Sequence, residues 1–275
     1  MAIYHAKFTY KNKQPNDFGL VVGVFSPDSG DVDSFLSMEP TTTESYDGTK
    51  LFDYGAKYTD TASLVVSLIK SDNSDITVTE ARNVLKWLTG SRAASQLDLY
   101  KVNDEIAYSF FGRFTEVNLQ KLDSRVVGII ATFTATSPWA YSAVQVITQA
   151  INGSTTLTVA NLSDDEDTYV YPEVVFTNEN ANGTLNIKNT ILSEETIINN
   201  IAVNEKITMN SNQIIYSDNP TRIFGNDFNF KWLRLVSGNN SITITGTGSI
   251  SIQYRYFIKV ADALVDIEDT YYLCD

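Results

Sequence analysis

The chain has 275 residues, with 33 acidic and 20 basic side chains and a formal net charge of -13 at pH 7. Hydrophobic residues make up 43% and aromatic residues 12% of it, which is enough to fill two cores of ordinary size, so we do not expect a disordered chain. Residues 1–140 carry 17 acidic and 13 basic side chains, and residues 141–275 carry 16 and 7. Neither half offers the basic field that a nucleic-acid backbone attracts.

Cysteine usage and hydropathy limit the cellular compartments in which we expect the protein. Cys274 is the only cysteine, which excludes an internal disulfide and a cysteine-based zinc site. Met1–Tyr10 lacks the apolar segment of a secretion signal, and no stretch reaches the roughly 18 apolar residues of a membrane span. We therefore expect a protein that is neither secreted through a signal peptide nor held in a membrane.

Residues suited to catalysis are scarce. His5 is the only histidine, so a Ser/His/Asp triad or a two-histidine metal site has little to build on. Glu194 and Glu195 are the most conspicuous carboxylates, but neighbours in a strand point to opposite faces. No Walker-type loop or GxGxxG motif is present. We expect no enzymatic activity, no cofactor and no metal.

The first half, from Lys7 to Phe133, has the pattern of strands with one helical interruption. Leu64–Ile69 predicts a buried strand, and Val126–Phe133 predicts another. Gln96–Tyr100 and Ile106–Phe110 alternate on either side of a turn and predict a hairpin.

One convincing helix follows Thr77. Thr77 and Glu80 have the spacing of a capping box, and Gly90 is placed to end the last turn in a left-handed conformation. Apolar residues at helical spacing predict a stripe that packs on the sheet: Ala81, Val84, Leu85 and Leu88. Trp87 lies on the flank of this stripe, where it either widens the core contact or reaches a neighbouring subunit.

A domain boundary is predicted at Ser137-Pro138-Trp139, because proline removes a ladder donor and restricts the residue before it. The predicted domains are 1–140 and 141–275. Asn161–Asp167 then forms an acidic loop that could hold calcium or be a solvated turn. It lacks the ligand spacing of an EF-hand, which favours the turn.

The second half, from Tyr171 to Tyr256, alternates in short apolar runs typical of a β-sandwich. Three turns are predicted, with Gly246–Gly248 as a hairpin turn and the others at Asn180–Gly183 and Ser237–Asn240. Four Asn-X-Ser/Thr matches are interpreted as turn chemistry: Asn152, Asn161, Asn182 and Asn239. Residues 257–275 are apolar enough to dock on something, and their placement is left open.

Several short sequence segments, taken together, resemble those of the distal tail protein family of long, non-contractile-tailed bacteriophages. Their order and spacing carry the resemblance more than any one motif. In the first half they are Phe8-Thr-Tyr, Asp17-Phe-Gly-Leu-Val-Val, Val84–Gly90, Leu97-Asp-Leu-Tyr and Ser137–Tyr141. In the second half they are Tyr171–Phe176, Leu185–Asn189, Phe230–Leu235 and Val236–Ile244.

The resemblance implies a β-rich ring-forming domain with one helix, also called a belt domain, followed by a galectin-like β-sandwich. It implies a homo-hexameric ring at the virion tail tip, assembled in the bacterial cytoplasm. One face of such a ring joins the tail-tube protein and the other holds the tail-associated hub protein. In some members the sandwich attaches a receptor-binding protein. Phage DNA only passes through the ring. The excess acid either keeps the protein soluble or, as a hypothesis, partly lines that channel and repels the DNA.

A cyclic ring needs two different contact patches on each subunit. The first half is where we expect them: the helix flank and the segment Asp33–Tyr58, whose weak periodicity indicates an arm. The candidate interface residues are Arg82, Lys86, Trp87, Tyr46, Phe52 and Tyr54.

The main competing interpretation is a freestanding carbohydrate-binding module, since a galectin-like sandwich can hold sugars on exposed aromatic rings. The candidate stacking residues are Tyr169, Tyr216 and Trp232, with burial in the core as the alternative for Trp232. Another virion ring protein, such as a tail-tube protein, shares the assembly logic and would form long stacks. A glycosidase is the last alternative.

Overall fold

The computed structural model describes residues 7–23, 38–44, 51–58, 61–100 and 104–259, with the backbone alone for 38–44 and 51–58. The described chain forms two compact units that adjoin in sequence between Tyr141 and Ser142. Both units are built mainly from antiparallel strands, as the sequence predicted. The placement of residues 257–275 in a domain stays a prediction.

The first unit contains one antiparallel sheet, a helix and a separate hairpin. Its elements are β1 (Phe8–Tyr10), β2 (Leu20–Val22), β3 (Met38–Glu44), β4 (Leu51–Tyr58), β5 (Ser63–Lys70), α1 (Val78–Thr89), β6 (Ser95–Tyr100), β7 (Ile106–Leu122), β8 (Arg125–Ala135) and β9 (Ala140–Tyr141). The sheet has the order β1-β6-β7-β8-β5-β2, with β9 paired to β7. Of the strands that the structure describes, β3 and β4 pair only with each other. The predicted β6–β7 hairpin and the buried strand β5 are confirmed.

Helix α1 packs its apolar stripe against this sheet. The capping box is confirmed: the Glu80 backbone N–H donates to Thr77 Oγ1 at 3.3 Å, and the Thr77 backbone N–H donates to Glu80 Oε2 at 2.7 Å. Ala81, Val84 and Leu88 are buried as predicted, while Leu85 is half-buried. A cap at the start and a buried stripe along one side fix the position of the helix on the sheet.

The end of α1 differs from the prediction. Gly90 is right-handed, with φ -67° and ψ -6°, so the predicted left-handed cap is wrong. The Gly90 N–H donates to the Lys86 carbonyl at 3.0 Å, and the Thr89 hydroxyl donates to the Leu85 carbonyl at 2.7 Å. The helix therefore ends on an ordinary i to i−4 hydrogen bond at Gly90, without a left-handed residue.

The second unit is one antiparallel sheet curled around a single core. Its strands are β10 (Gln145–Asn161), β11 (Glu173–Asn178), β12 (Gly183–Asn189), β13 (Glu194–Ile201), β14 (Lys206–Met209), β15 (Ile215–Ser217) and β16 (Gly238–Tyr254). A two-residue strand, β17 (Phe257–Ile258), follows in the chain and is not part of this sheet. The order is β13-β12-β16-β11-β14-β15, and β10 pairs with the other edge of β16. The β-sandwich prediction is confirmed as a mainly β fold, and its likeness to galectins stays a prediction.

The predicted hairpin turn at Gly246–Gly248 is wrong, because both glycines lie inside β16. On one edge, β16 pairs with β12 before Gly246 and with β11 from Gly248 onward, and on the other it pairs with β10 throughout. A Cβ atom on Gly246 would lie 3.0 Å from the Thr184 carbonyl oxygen, which is tighter than an ordinary contact, and one on Gly248 would lie 2.0 Å from the Thr177 carbonyl oxygen. The glycines thus mark the place where a continuous strand changes partners and the neighbouring backbone approaches closely.

The β10–β16 pair also folds back on itself. The Tyr254 hydroxyl donates to the Ala160 carbonyl at 2.8 Å, although Ala160 is paired with Asn239 at the opposite end of the ribbon. In a straight strand, 15 residues would separate Tyr254 from Asn239 by roughly 50 Å. The two halves of β16 therefore face one shared core, to which Ile242, Ile244, Ile250 and Ile252 all belong.

Buried asparagines hold the irregular segment that precedes β16. Asn189 Nδ2 donates to Asn240 Oδ1 and to the Arg234 carbonyl, both at 2.9 Å, and Asn161 Nδ2 donates to the Val236 carbonyl at 3.0 Å. Asn161 is buried, yet its turn interpretation is confirmed because its Oδ1 accepts from the Ser163 backbone N–H at 3.2 Å. Asn152 lies within β10 rather than in a turn, so the interpretation is wrong there. Buried amides must be satisfied, so these side chains replace missing strand partners.

We predict that Gly248→Ala destabilises the second unit by at least about 2 kcal/mol. Its φ of +148° disfavours any side chain, and a Cβ atom would meet the Thr177 carbonyl oxygen at 2.0 Å. Gly238→Ala is the matched control, because φ is +92° there but nothing lies within 4 Å, and it should cost only about 1 kcal/mol. Urea unfolding measures both, and equal losses would contradict the close approach at Gly248.

We also predict a contribution of Glu80 to acid stability. The Thr77 backbone N–H, the Thr77 hydroxyl and Lys70 lower the pKa of Glu80 from 4.5 to about 2. Because the folded pKa is depressed, this stabilisation is complete above about pH 4.5 and is lost as the pH falls towards 2.

Glu80→Gln should therefore flatten the decline of the free energy of unfolding between pH 4.5 and 2, measured by urea titration at several pH values. Glu166→Gln removes an exposed carboxylate from the second unit and serves as the control. An unchanged pH profile in Glu80→Gln would show that the capping carboxylate does not contribute.

Candidate assembly surfaces

The β7–β8 hairpin extends beyond the strands that flank it. β6 pairs with β7 only as far as Gly112, and β5 pairs with β8 only as far as Gly128. β7 and β8 continue together to Leu122 and Arg125. Within the described part of the chain, residues 113–122 of β7 therefore pair with a strand on one side alone.

Two exposed leucines lie in this extension, beside the charged residues Arg113, Glu116 and Lys121. Leu119 is 37% exposed and Leu122 is 56% exposed, and both lie near the tip. An unpaired backbone edge beside exposed leucines is a template for another strand. We call residues 113–122 of β7 the β7 edge.

The sequence-predicted interface residues fall into three groups. Arg82 and Lys86 are exposed on α1, where a neighbour could reach them. Tyr46 lies outside the described residues. Phe52 and Tyr54 lie on β4, for which the structure describes the backbone alone. Their role in an interface stays a prediction.

Trp87 is buried, with 6% of its surface exposed. Its ring stacks on Phe18 at 4.7 Å and on Phe8 at 5.9 Å, and its Nε1–H donates to the Tyr10 carbonyl at 2.9 Å. These contacts assign Trp87 to the core, the first of the two roles considered from sequence. The indole satisfies its polar atom within the protomer and leaves little surface for a neighbour.

Of the three candidate stacking residues, Tyr169 and Trp232 lie near the start of β13. Arg234 places its guanidinium 4.3 Å from the Tyr169 ring centre and pairs with Glu194 at 2.9 Å. Trp232 is half-buried and packs edge-on against Phe228 at 5.1 Å. Tyr216 is exposed on β15, the opposite end of the sheet order.

A cavity beside Trp232 is too small for a sugar. Its walls include Ile187, Thr196, Glu194, Trp232 and Arg234, and it has room for about one water molecule. Sugar stacking on these rings stays a prediction, and it would have to use the outer surface.

The adjacent carboxylates do not form an acid–base pair. Glu194 is paired with Arg234, and Glu195 is held by Lys188 at 2.8 Å. The hydrogen bond from Lys188, with help from Asn186, lowers the pKa of Glu195. A carboxylate kept ionised in this way is unsuited to protonate a leaving group.

The acidic loop is more ordered than a solvated turn. Asp165 is buried, accepts from the Asp167 backbone N–H at 3.3 Å and from the Thr168 hydroxyl at 2.9 Å, and so stabilises its own loop. The solvated-turn interpretation is therefore wrong for Asp165. Among the residues the structure describes, no group of three or more His, Cys, Asp or Glu side chains is arranged to hold a metal.

Sequence reasoning missed a buried ionic cluster. Arg222 lies between Glu205 and Asp227, at 3.7 Å from each, and donates from Nη1 to the Asn200 carbonyl. The Glu205 carboxylate also accepts from the Ser217 hydroxyl at 2.7 Å. These residues are far apart in sequence, so no local pattern could have found a cluster that ties a long loop to β13.

No helix in the described ranges is long and apolar enough to cross a membrane.

Comparison with known proteins shows to which family the chain belongs. A family model described as a phage tail protein N-terminal domain matches residues 3–137, and a model described as a phage tail C-terminal domain matches residues 139–254. The chain belongs to this phage tail protein family. The resemblance seen in the sequence is thus confirmed at the level of a phage tail protein.

Solved structures show which fold this phage tail protein shares. The crystal structure of SPP1 Dit, described as a paradigm of the hub adsorption apparatus in phages that infect Gram-positive bacteria, matches with a TM-score of 0.61 at 12% identity. The match covers 92% of this chain and 98% of that one.

Two structures of the phage P2 baseplate in its activated conformation also contain a similar chain. The calcium form matches with a TM-score of 0.51 at 7% identity, and the strontium form with 0.53 at 8%. Each match covers 94% of this chain and 99% of that one. No curated protein sequence matches significantly. The phage tail protein therefore has the Dit fold along almost its whole length.

Proposed function

We propose that this phage tail protein forms a hexameric ring at the distal end of the tail. The ring would join the tail tube to the tail-tip hub and the host-adsorption apparatus. The proposal is supported by the family and by the Dit fold shared over 92% of the chain. Its role would be structural, with assembly in the bacterial cytoplasm before incorporation at the tail tip.

The β7 edge is the observation that carries ring assembly. A closed ring needs a donor patch and a different acceptor patch on each copy. The β7 edge offers unpaired backbone groups and two exposed leucines, Leu119 and Leu122. Among the described strands, the β3–β4 hairpin pairs with no other strand and the short strand β2 ends the sheet, so both offer further edges for a neighbour.

The chemistry of the side chains supports a role in binding rather than catalysis. The conspicuous carboxylates Glu194 and Glu195 are each engaged with a cation. The net charge of -13 also fits a wall past which DNA moves without adhering. The second unit would face outward and offer its surface to a receptor-binding protein.

We predict that the purified full chain has six times the protomer mass in native mass spectrometry, with sixfold rings in electron micrographs. Leu119→Glu/Leu122→Glu places charge on the exposed leucines of the β7 edge and should abolish the ring. Ile223→Glu is the matched control, because Ile223 is 79% exposed in the second unit.

The ring should survive in Ile223→Glu. A sixfold mass retained in Leu119→Glu/Leu122→Glu would refute the role of the β7 edge. A wild-type chain that remains a monomer and binds glycans on an array would replace the proposed function with that of a carbohydrate-binding module.

A further inference from the structure

The second unit carries a long strand with one open edge. β10 runs for 17 residues and pairs with β16 over its full length. No other described strand pairs with it. In an antiparallel ladder, alternate residues direct their N–H and C=O groups to the two sides. About half of the backbone groups of β10 therefore point to its open edge, which we call the β10 edge.

Nothing in its sequence protects this edge. Residues 145–161 contain no charged residue and no proline. Edge strands that must stay single are usually shortened, charged or interrupted by proline or a bulge. The pairing of β10 with β16 is continuous, without a register shift. An edge of this length and composition is suited to pairing.

Apolar side chains are left incompletely covered beside the edge. Ile147 and Leu157 pack on the core but remain half-buried, and Val146 on the outer face is 58% exposed. A strand added to the β10 edge would cover the two inner side chains and continue the core face of the sheet.

The fold of the ribbon decides which strand fits. Because the β10–β16 pair folds back on itself, a straight strand could follow only one half of the edge. The middle of β10 is Gly153, which has φ +89° and faces Gly246. A second β10, related by a twofold axis through Gly153, has the same bend at the same point and could pair along both halves.

We propose that the β10 edge pairs with the β10 edge of a second copy of this chain, antiparallel and about a twofold axis at Gly153. Residues whose numbers sum to 306 then face each other, so Thr148 faces the second copy's Thr158 and Ile147 faces its Val159. Both members of each pair are odd or both are even, so core faces meet core faces.

Charge is consistent with this pairing. The chain is strongly acidic overall, but the β10 edge brings no like charges together because it has none. Full pairing would add roughly sixteen backbone hydrogen bonds. This contact is separate from the β7 edge, so it goes beyond the proposed ring and does not depend on it.

The test uses two full-length variants with opposite charges at facing positions. Thr148→Lys/Thr158→Lys and Thr148→Asp/Thr158→Asp each oppose like charges twice in the pair. Each should weaken twofold association at least about tenfold, measured by sedimentation velocity. An equal mixture of the two should restore it, because lysine then faces aspartate.

The readout distinguishes this contact from the ring. A chain that forms only pairs gives twice the protomer mass, and a ring that also pairs gives twelve copies. A wild-type chain with six copies and no pairing would overturn the β10 proposal and leave the ring intact. Unchanged pairing in both charged variants, or a failure of the mixture to restore it, would also overturn it.

A second measurement covers the case in which the charged variants fold poorly. In a Cys274→Ser background, oxidation should link two chains through Thr148→Cys/Thr158→Cys, since these positions face each other. Thr148→Cys/Thr156→Cys is out of register and should not link. Equal linking in both variants would overturn the proposal. So would amides of the β10 edge that are protected from hydrogen exchange only when another tail protein is added.

Discussion

The folded β10–β16 ribbon is the constraint on which the second unit depends. The hydrogen bond from the Tyr254 hydroxyl to the Ala160 carbonyl joins the two ends of a pair that would otherwise be extended. Because the ribbon returns on itself, both halves of β16 cover one core, and β11 and β12 can share one edge of it. The same ribbon leaves the outer edge of β10 without a described strand partner.

Local patterns in the sequence predicted much of this fold. Alternation predicted β5, β8 and the β6–β7 hairpin, and the spacing of Thr77 and Glu80 predicted the start of α1. These features depend on neighbouring residues, so a single sequence contains them. The mainly β character followed from the same alternation.

The errors came from features that local patterns do not determine. Two glycines between alternating runs have the same appearance in a hairpin turn and in a strand that changes partners. Only the structure shows that the Thr184 and Thr177 carbonyl oxygens of neighbouring strands approach Gly246 and Gly248 closely. Buried asparagines and the Arg222 cluster depend on residues distant in sequence. The strand edges were also invisible, because an edge is defined by which partner is absent. None of the candidate sugar or interface residues identified either edge.

The function that we propose rests on backbone edges more than on particular side chains. Amide hydrogen exchange, followed by mass spectrometry in the assembled and dissociated chain, measures those edges directly. Exchange should slow on assembly at the outward amides of residues 113–122 and 145–161 and change little in β12 and β14, which are already paired on both sides. Unchanged exchange at both edges in an assembled particle would contradict the account.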